Sequence, residues 1–273
     1  IAPFTAKEGG FSGGKVSVVT KSGTNDFHGS MFFEQAKDSW AGTPEQADGS
    51  KIDLKFKEES WGATLGGPII KDKLFFFTSY EKLEGADTFD RGTADSNAAV
   101  KVAGFSQAQY DEILAISRDV YGYEPGDLVK SLPVEDEKIM AKLDWYITDE
   151  HRASLVYNYN DGNAIRESDG DSNEFEFSNH YYNQTAEFSS YVASLYSDWT
   201  DNFSTEIRIG KSEFEQNVTP LGGTDFGEVQ IDTEVLDADG NSQRATVYLG
   251  ADDSRHANRL TYDTDTYKIA GTY

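Results

Sequence analysis

Alternation of apolar and polar residues with a period of two runs through much of this chain, and four stretches show it most clearly. In the first, Ile139, Ala141, Leu143, Trp145 and Ile147 are apolar, with Lys142 and Asp144 between them. Next, Ala153, Leu155, Tyr157 and Tyr159 interleave with Ser154, Asn158 and Asn160. Tyr191, Ala193, Leu195 and Trp199 alternate with Ser190, Ser194 and Asp198, and Phe203, Ile207 and Ile209 with Ser204, Glu206 and Arg208. Successive side chains of a strand point to opposite faces, so each stretch reads as a strand with one apolar and one polar face. Together with weaker segments, the pattern predicts strands at 27–37, 61–70, 73–83, 137–147, 152–161, 186–199, 203–215 and 259–273.

The connections fall into two classes that take turns. Lys71-Asp72, Thr148-Asp149-Glu150-His151 and Thr200-Asp201-Asn202 are tight and built from residues that accept turn geometry. Those at 39–60, 84–136, 162–185 and 216–258 are long. Strict alternation puts every short turn at one end of the sheet, as in an outer-membrane barrel. The predicted strands exceed the usual ~5–6 residues. Trp145, Trp199 and Phe203 sit beside the short turns, where one membrane interface would lie. Lys142, Asp144, Asn158, Asn160, Glu206 and Arg208 suit a wet lumen better than a dry core.

One helix is expected inside the longest loop. Ser106 is placed as N-cap, Gln109 as its capping-box partner and Phe105 as a hydrophobic staple with Tyr110. Ile113, Leu114, Ile116, Val120 and Tyr121 mark its expected apolar face, and Gly122 its end. The stretches 88–99 and 168–177 are acidic and rich in small residues, and read as exposed and mobile.

Composition narrows the function. Over 273 residues, 24 Lys plus Arg face 48 Asp plus Glu, a formal net charge of −24. That excludes a nucleic-acid partner, whose phosphates need basic patches, and a basic grip on anionic lipid. There is no cysteine, hence no disulfide framework and no thiolate metal site. No apolar run approaches the ~18–20 residues of a membrane helix, a limit that does not apply to barrel strands. Ile1-Ala2-Pro3-Phe4 shows no basic or apolar leader, so a signal peptide would lie upstream or be removed.

No motif in the chain carries catalytic chemistry. Gly9-Gly10-Phe11-Ser12-Gly13-Gly14 lacks the Lys-Ser/Thr of a phosphate loop, and no Ser sits in a Gly-x-Ser-x-Gly elbow. His28, His151, His180 and His256 are scattered without ligand spacing, so neither a metal nor a cofactor is expected. Asp237-Ala238-Asp239-Gly240-Asn241 resembles the start of a calcium loop but lacks the closing Glu; it reads as a turn between two strands of a long hairpin. The expectation is that the chain is not an enzyme.

Two segments resemble a known family. One runs from Gly13-Gly14-Lys15-Val16-Ser17-Val18-Val19-Thr20-Lys21-Ser22-Gly23-Thr24-Asn25 into Phe27, and the other is Trp61-Gly62-Ala63-Thr64-Leu65-Gly66-Gly67-Pro68 with its Lys71-Asp72-Lys73 turn. Both are similar to the plug-to-barrel junction and first barrel hairpin of TonB-dependent outer-membrane transporters, the Oar-like subgroup. The resemblance implies an all-β, transmembrane antiparallel β-barrel, partial, with about eight strands of a larger barrel. Residues 1–25 would be the C-terminal end of the plug, with 13–21 its last strand, and 26–273 the N-terminal part of the barrel.

It further implies a place in the bacterial outer membrane and energy-coupled uptake of a substrate that the sequence does not name. The implied partners are the TonB complex, reached through the missing plug region, and outer-membrane lipid and lipopolysaccharide. Two other readings stay open: a small complete outer-membrane barrel in adhesion or envelope structure, and a soluble secreted β-rich binding module.

Overall fold

The computed structural model describes residues 19–46, 49–52 and 54–273. In chain order, β1 (His28–Lys37), β2 (Lys57–Ile70) and β3 (Leu74–Thr88) come first. The short β4 (Arg91–Thr93) and β5 (Val100–Val102) precede the helix α1 (Gln107–Asp119). Then come β6 (Ser131–Tyr146), β7 (His151–Arg166), the three-residue β8 (Glu174–Glu176), β9 (Tyr182–Thr200) and β10 (Phe203–Pro220). The hairpin β11 (Val229–Leu236) and β12 (Ser242–Leu249) and the last strand, β13 (Arg259–Thr272), complete the chain.

Eight long strands form one antiparallel sheet in the order β1-β2-β3-β6-β7-β9-β10-β13. Sequential neighbours pair throughout, and β1 and β13 are the two edges, with no ladder between them among the described residues. The sheet is therefore an open, up-and-down stretch of barrel wall. All eight expected strands are present, yet most run further toward the long loops than the alternation indicated. β6, for instance, starts at Ser131 and β7 continues to Arg166. A crossing needs only ~9–11 residues, so these extensions stand clear of the bilayer, where an outward face no longer has to be apolar. The period-two signal stops there although the ladder does not.

Register shows which side chains share a face. Phe76, Leu143, Leu155, Ala193, Ile209 and Tyr267 align across six strands. One row closer to the short turns, Leu74, Trp145, Ala153, Leu195, Ile207 and Ile269 do the same. These rows are open to the surroundings, with Leu155 46% and Ile209 53% exposed. On the opposite face Asp144 and Ser194 are only 8% exposed. An apolar surface this continuous is not tolerated in water, and hydrocarbon is the medium that matches it. Further up the same face, Glu137, Asp161, Glu187 and Glu215 align as an acidic row, and on β10 and β13 charge begins lower, at Lys211 with Asp265 and Glu213 with Asp263. No helix among the described residues is long and apolar enough to cross a membrane.

The long connections do not hang free. α1, β5, β8 and the β11–β12 hairpin share a core of Val102, Phe105, Tyr110, Phe175, Phe177 and Val247. Phe105 and Phe175 lie 4.9 Å apart, and Tyr110 stacks on Phe177 at 5.1 Å. The expected exposure of 88–99 and 168–177 is thereby corrected: Thr93 and Phe177 are fully buried and Phe175 nearly so. Few apolar residues in each stretch suffice, because the core is assembled from three loops at once.

The capping box forms as expected, with the Ser106 hydroxyl accepting from the Gln109 N–H and the Ser106 N–H donating to Gln109 Oε1. The buried face of α1 differs from expectation. Tyr110 and Ser117 are buried and Ile113 and Leu114 pack on the core, whereas Ile116, Val120 and Tyr121 are exposed. Residues at i, i+3, i+4 and i+7 from Tyr110 share one face, and Val120 and Tyr121 fall beyond the last helical turn.

An arginine facing lipid near the bilayer midplane costs about 2–4 kcal/mol in such a barrel, and one on the opposite face does not. Leu155→Arg should therefore lower the amount of heat-modifiable barrel in the outer-membrane fraction, while Asn158→Arg should not. Equal tolerance at both positions would overturn the assignment of faces.

Candidate functional site

Two regions of the molecule gather polar chemistry: the polar face of the sheet and the loop module above it. On the sheet, Lys142 and Asp144 lie on β6 with Phe75 and Phe77 as their cross-strand neighbours on β3. The Lys142 ammonium is 3.3 Å from the Asp144 carboxylate and donates to the Ser22 hydroxyl at 2.7 Å. That last bond comes from the segment entering β1. Asn25 holds it in place through two hydrogen bonds with Asp72: its side-chain amide nitrogen donates to the Asp72 carboxylate, and its Oδ1 accepts from the Asp72 N–H. Asp72 occupies the left-handed region at φ 62°, which a tight turn demands and Asp tolerates.

The glycine pair Gly66-Gly67 now has a physical reason. Gly23 passes so near the β2–β3 ladder that a Cβ on it would lie 2.3 Å from the Phe76 carbonyl oxygen and 2.7 Å from that of Gly67. A Cβ on Gly67 would meet the Phe27 ring at 2.4 Å. A Cβ on Gly66 would press on the Phe77 ring at 3.0 Å, while Gly67 makes room for the aromatic that follows the incoming segment. The segment 22–25 thus lies against the short-turn end of the β2–β3–β6 wall. The proposed last plug strand at 13–21 falls mostly outside the described residues; Val19 to Lys21, which are described, join no ladder.

The remaining sequence-derived residues fall into separate groups. Glu206 accepts from both Arg208 and Lys268 at 2.9 Å, and Arg208 also donates to the Tyr196 hydroxyl at 3.3 Å. Asn158 donates to Ser190 at 3.2 Å, and Asn160 to Asp136 and to the Glu137 carbonyl. Asp144 and Arg208 share a cross-strand row through Ser154 and Ser194. At ~4.8 Å per strand they are roughly 14 Å apart and do not touch. All six residues share one face, but they form four hydrogen-bonded groups rather than one site.

The loop module carries the group that sequence reasoning missed. His180 is fully buried, with Nε2 2.9 Å from Asp169 Oδ2 and Nδ1 2.9 Å from the Gly250 carbonyl oxygen. Glu176, also buried, accepts from the backbone N–H groups of Ser168 and Asp169 at 3.0 and 2.6 Å. Burial pushes its carboxyl up to about 7 despite those donors and the nearby His180. Arg91 sits 3.2 Å from Glu167 and donates to the Gly170 carbonyl at 2.9 Å. Asp252 accepts from Ser168, Ser254 and the Ser254 N–H, with Arg255 3.4 Å away. Alternation of Phe175, Glu176 and Phe177 was the available signal, since a single buried acid between two aromatics is uncommon on a free loop. The Asp237 turn, by contrast, is closed on itself: its carboxylate accepts from Asp239, Asn241 and Gln243.

The architecture defines a class, an outer-membrane β-barrel domain, located in the bacterial outer membrane. A family model described as an outer membrane beta barrel domain matches residues 19–121. Among curated proteins, the TonB-dependent transporter Oar of Myxococcus xanthus is 42% identical over 74 residues, covering 25% of this chain and 7% of that transporter. No solved structure matches.

Two outcomes follow from these contacts. A side chain at Gly23 has no space, so Gly23→Ala should speed amide exchange across 19–25 in the full-length protein and leave β6 to β10 unchanged. An unaltered exchange rate would mean the segment is not held by this contact. Truncating a buried Phe costs about 3–5 kcal/mol. Phe175→Ala should therefore open 89–130 and 167–181 to limited proteolysis while the barrel strands stay protected; uncut loops would refute the shared core.

Proposed function

We propose that this chain is wall and loop structure of a TonB-dependent outer-membrane transporter of the Oar-like kind, which takes up its substrate with energy passed through TonB. The 42% identity to a transporter of that description carries the reading. The fit of 22–25 against the polar face supports it, since a chain segment lying there is what a plug leading into a barrel would leave. On this reading the polar face, with Lys142, Asp144, Asn158, Asn160, Glu206 and Arg208, borders an aqueous lumen.

The open edges at β1 and β13 support a larger barrel over a small closed one. Each unsatisfied backbone group in hydrocarbon costs several kcal/mol, so both edges need neighbouring strands. The exposed apolar face speaks against a soluble module. The loops would capture the substrate outside the cell and a plug movement would open the path, with no covalent step and no catalytic residue. Lipid would meet the apolar rows, and lipopolysaccharide the loop-side end of the same outward face.

Cells carrying the full-length protein should lose uptake when TonB is deleted. Removing residues 221–258 should slow uptake without lowering the heat-modifiable barrel in the outer membrane. Siderophores, oligosaccharides, peptides and proteins, each labelled, are the solutes to screen. Uptake that survives loss of TonB would overturn the energy-coupled reading, and unchanged kinetics after the deletion would remove this loop from the uptake route.

A further inference from the structure

The buried ionisable group in the loop module has no part in the transport reading. His180 sets its chemistry. A carbonyl oxygen can only accept, so the 2.9 Å contact with Gly250 fixes the proton on Nδ1. Nε2 lies 2.9 Å from Asp169 Oδ2. A carboxylate oxygen that close to a ring nitrogen requires a second ring proton or a bound cation between them. Asp252 completes the set, for one ligand atom from each of Asp169, His180 and Asp252 lies within 4.8 Å of the other two. A second ring N–H tied to a carbonyl is also how metal-binding histidines are oriented.

Charge points the same way. Leaving aside the more exposed Glu174 and Glu228, the carboxylates of Glu167, Asp169 and Asp252 outnumber the guanidinium groups of Arg91 and Arg255, with the His180 ring between Asp169 and the Gly250 carbonyl. Buried charges are paired or coordinate metals, and a divalent ion offsets this excess. The Tyr248 ring covers His180 at 5.0 Å, while the Asp169 side chain is 40% exposed.

We propose that Asp169, His180 and Asp252 form a divalent transition-metal site, of the kind Zn2+ takes, that clamps the β7–β9 loop to the β10–β13 loop. An imidazole nitrogen with two carboxylate oxygens suits Zn2+ and its neighbours, whereas Ca2+ takes six to eight oxygens. The adjacent trio Glu228, Asp252 and Asp253 shares one residue but offers only oxygen, so the imidazole distinguishes the two.

The test uses full-length protein in detergent, stripped with EDTA and titrated with Co2+ as a spectroscopic stand-in for Zn2+. One equivalent should bind with visible absorption bands, and Zn2+ should displace it. Asp169→Asn, at the exposed ligand, should weaken binding at least tenfold with an unchanged far-ultraviolet circular dichroism spectrum. His180→Gln should abolish the bands, and Glu228→Gln should leave them intact. Failure to bind one equivalent, or binding that survives Asp169→Asn, would overturn the proposal and make the group an imidazolium–carboxylate pair. Bands lost in Glu228→Gln but kept in His180→Gln would overturn it equally.

Discussion

In hydrocarbon no water is available to hydrogen-bond a free backbone N–H or C=O, and the architecture of the sheet follows from that requirement. With no long apolar helix among the described residues, it is met by pairing strand to strand. Once the ladder is in place, each strand offers one face to lipid and one to the interior. The alternation from Ile139 to Ile209 is the side-chain record of this backbone constraint. Short turns crowd to one end because consecutive strands pair, and the freedom to insert chain is left to the other end.

That freedom has been used to build a second structure with different physics. Above the acidic row the strands stand in water, and hydrophobic burial again drives assembly. The loops respond with a core of aromatics contributed by three connections, none of which holds enough apolar surface to fold alone. Polar residues trapped beside this core, such as Glu176 and His180, must find partners, and they find them across loops. The module is thus tied together by aromatic packing on one side and by a buried ionisable group on the other.

The junction below the membrane band depends on close backbone approach. Gly23 and Gly67 bring the incoming segment and the β2–β3 ladder within distances that no Cβ allows, and Asn25 with Asp72 fastens the arrangement. In a transporter, this contact would be a mechanical link between a plug and the wall around it. Among the described residues the link is made of a few hydrogen bonds and the Phe27 ring against Gly67 and Phe76.

Strand number, strand order and facing were legible in the sequence, because a period of two and a run of tight Asp, Asn and Thr turns depend on local geometry alone. The helix start was legible for the same reason: Ser106 and Gln109 satisfy backbone groups within one turn. Strand ends toward the loops were not, since outside lipid nothing forces the outward face to be apolar. The exposed side of α1, with Ile116 and Val120, was misjudged because burial there is decided by what the other loops bring. His180 gave no ligand spacing, yet the fold places it beside Asp169 and Asp252. Local periodicity thus determined the wall, while contacts between residues far apart in the chain, which no period records, decided the loop module and its buried charges.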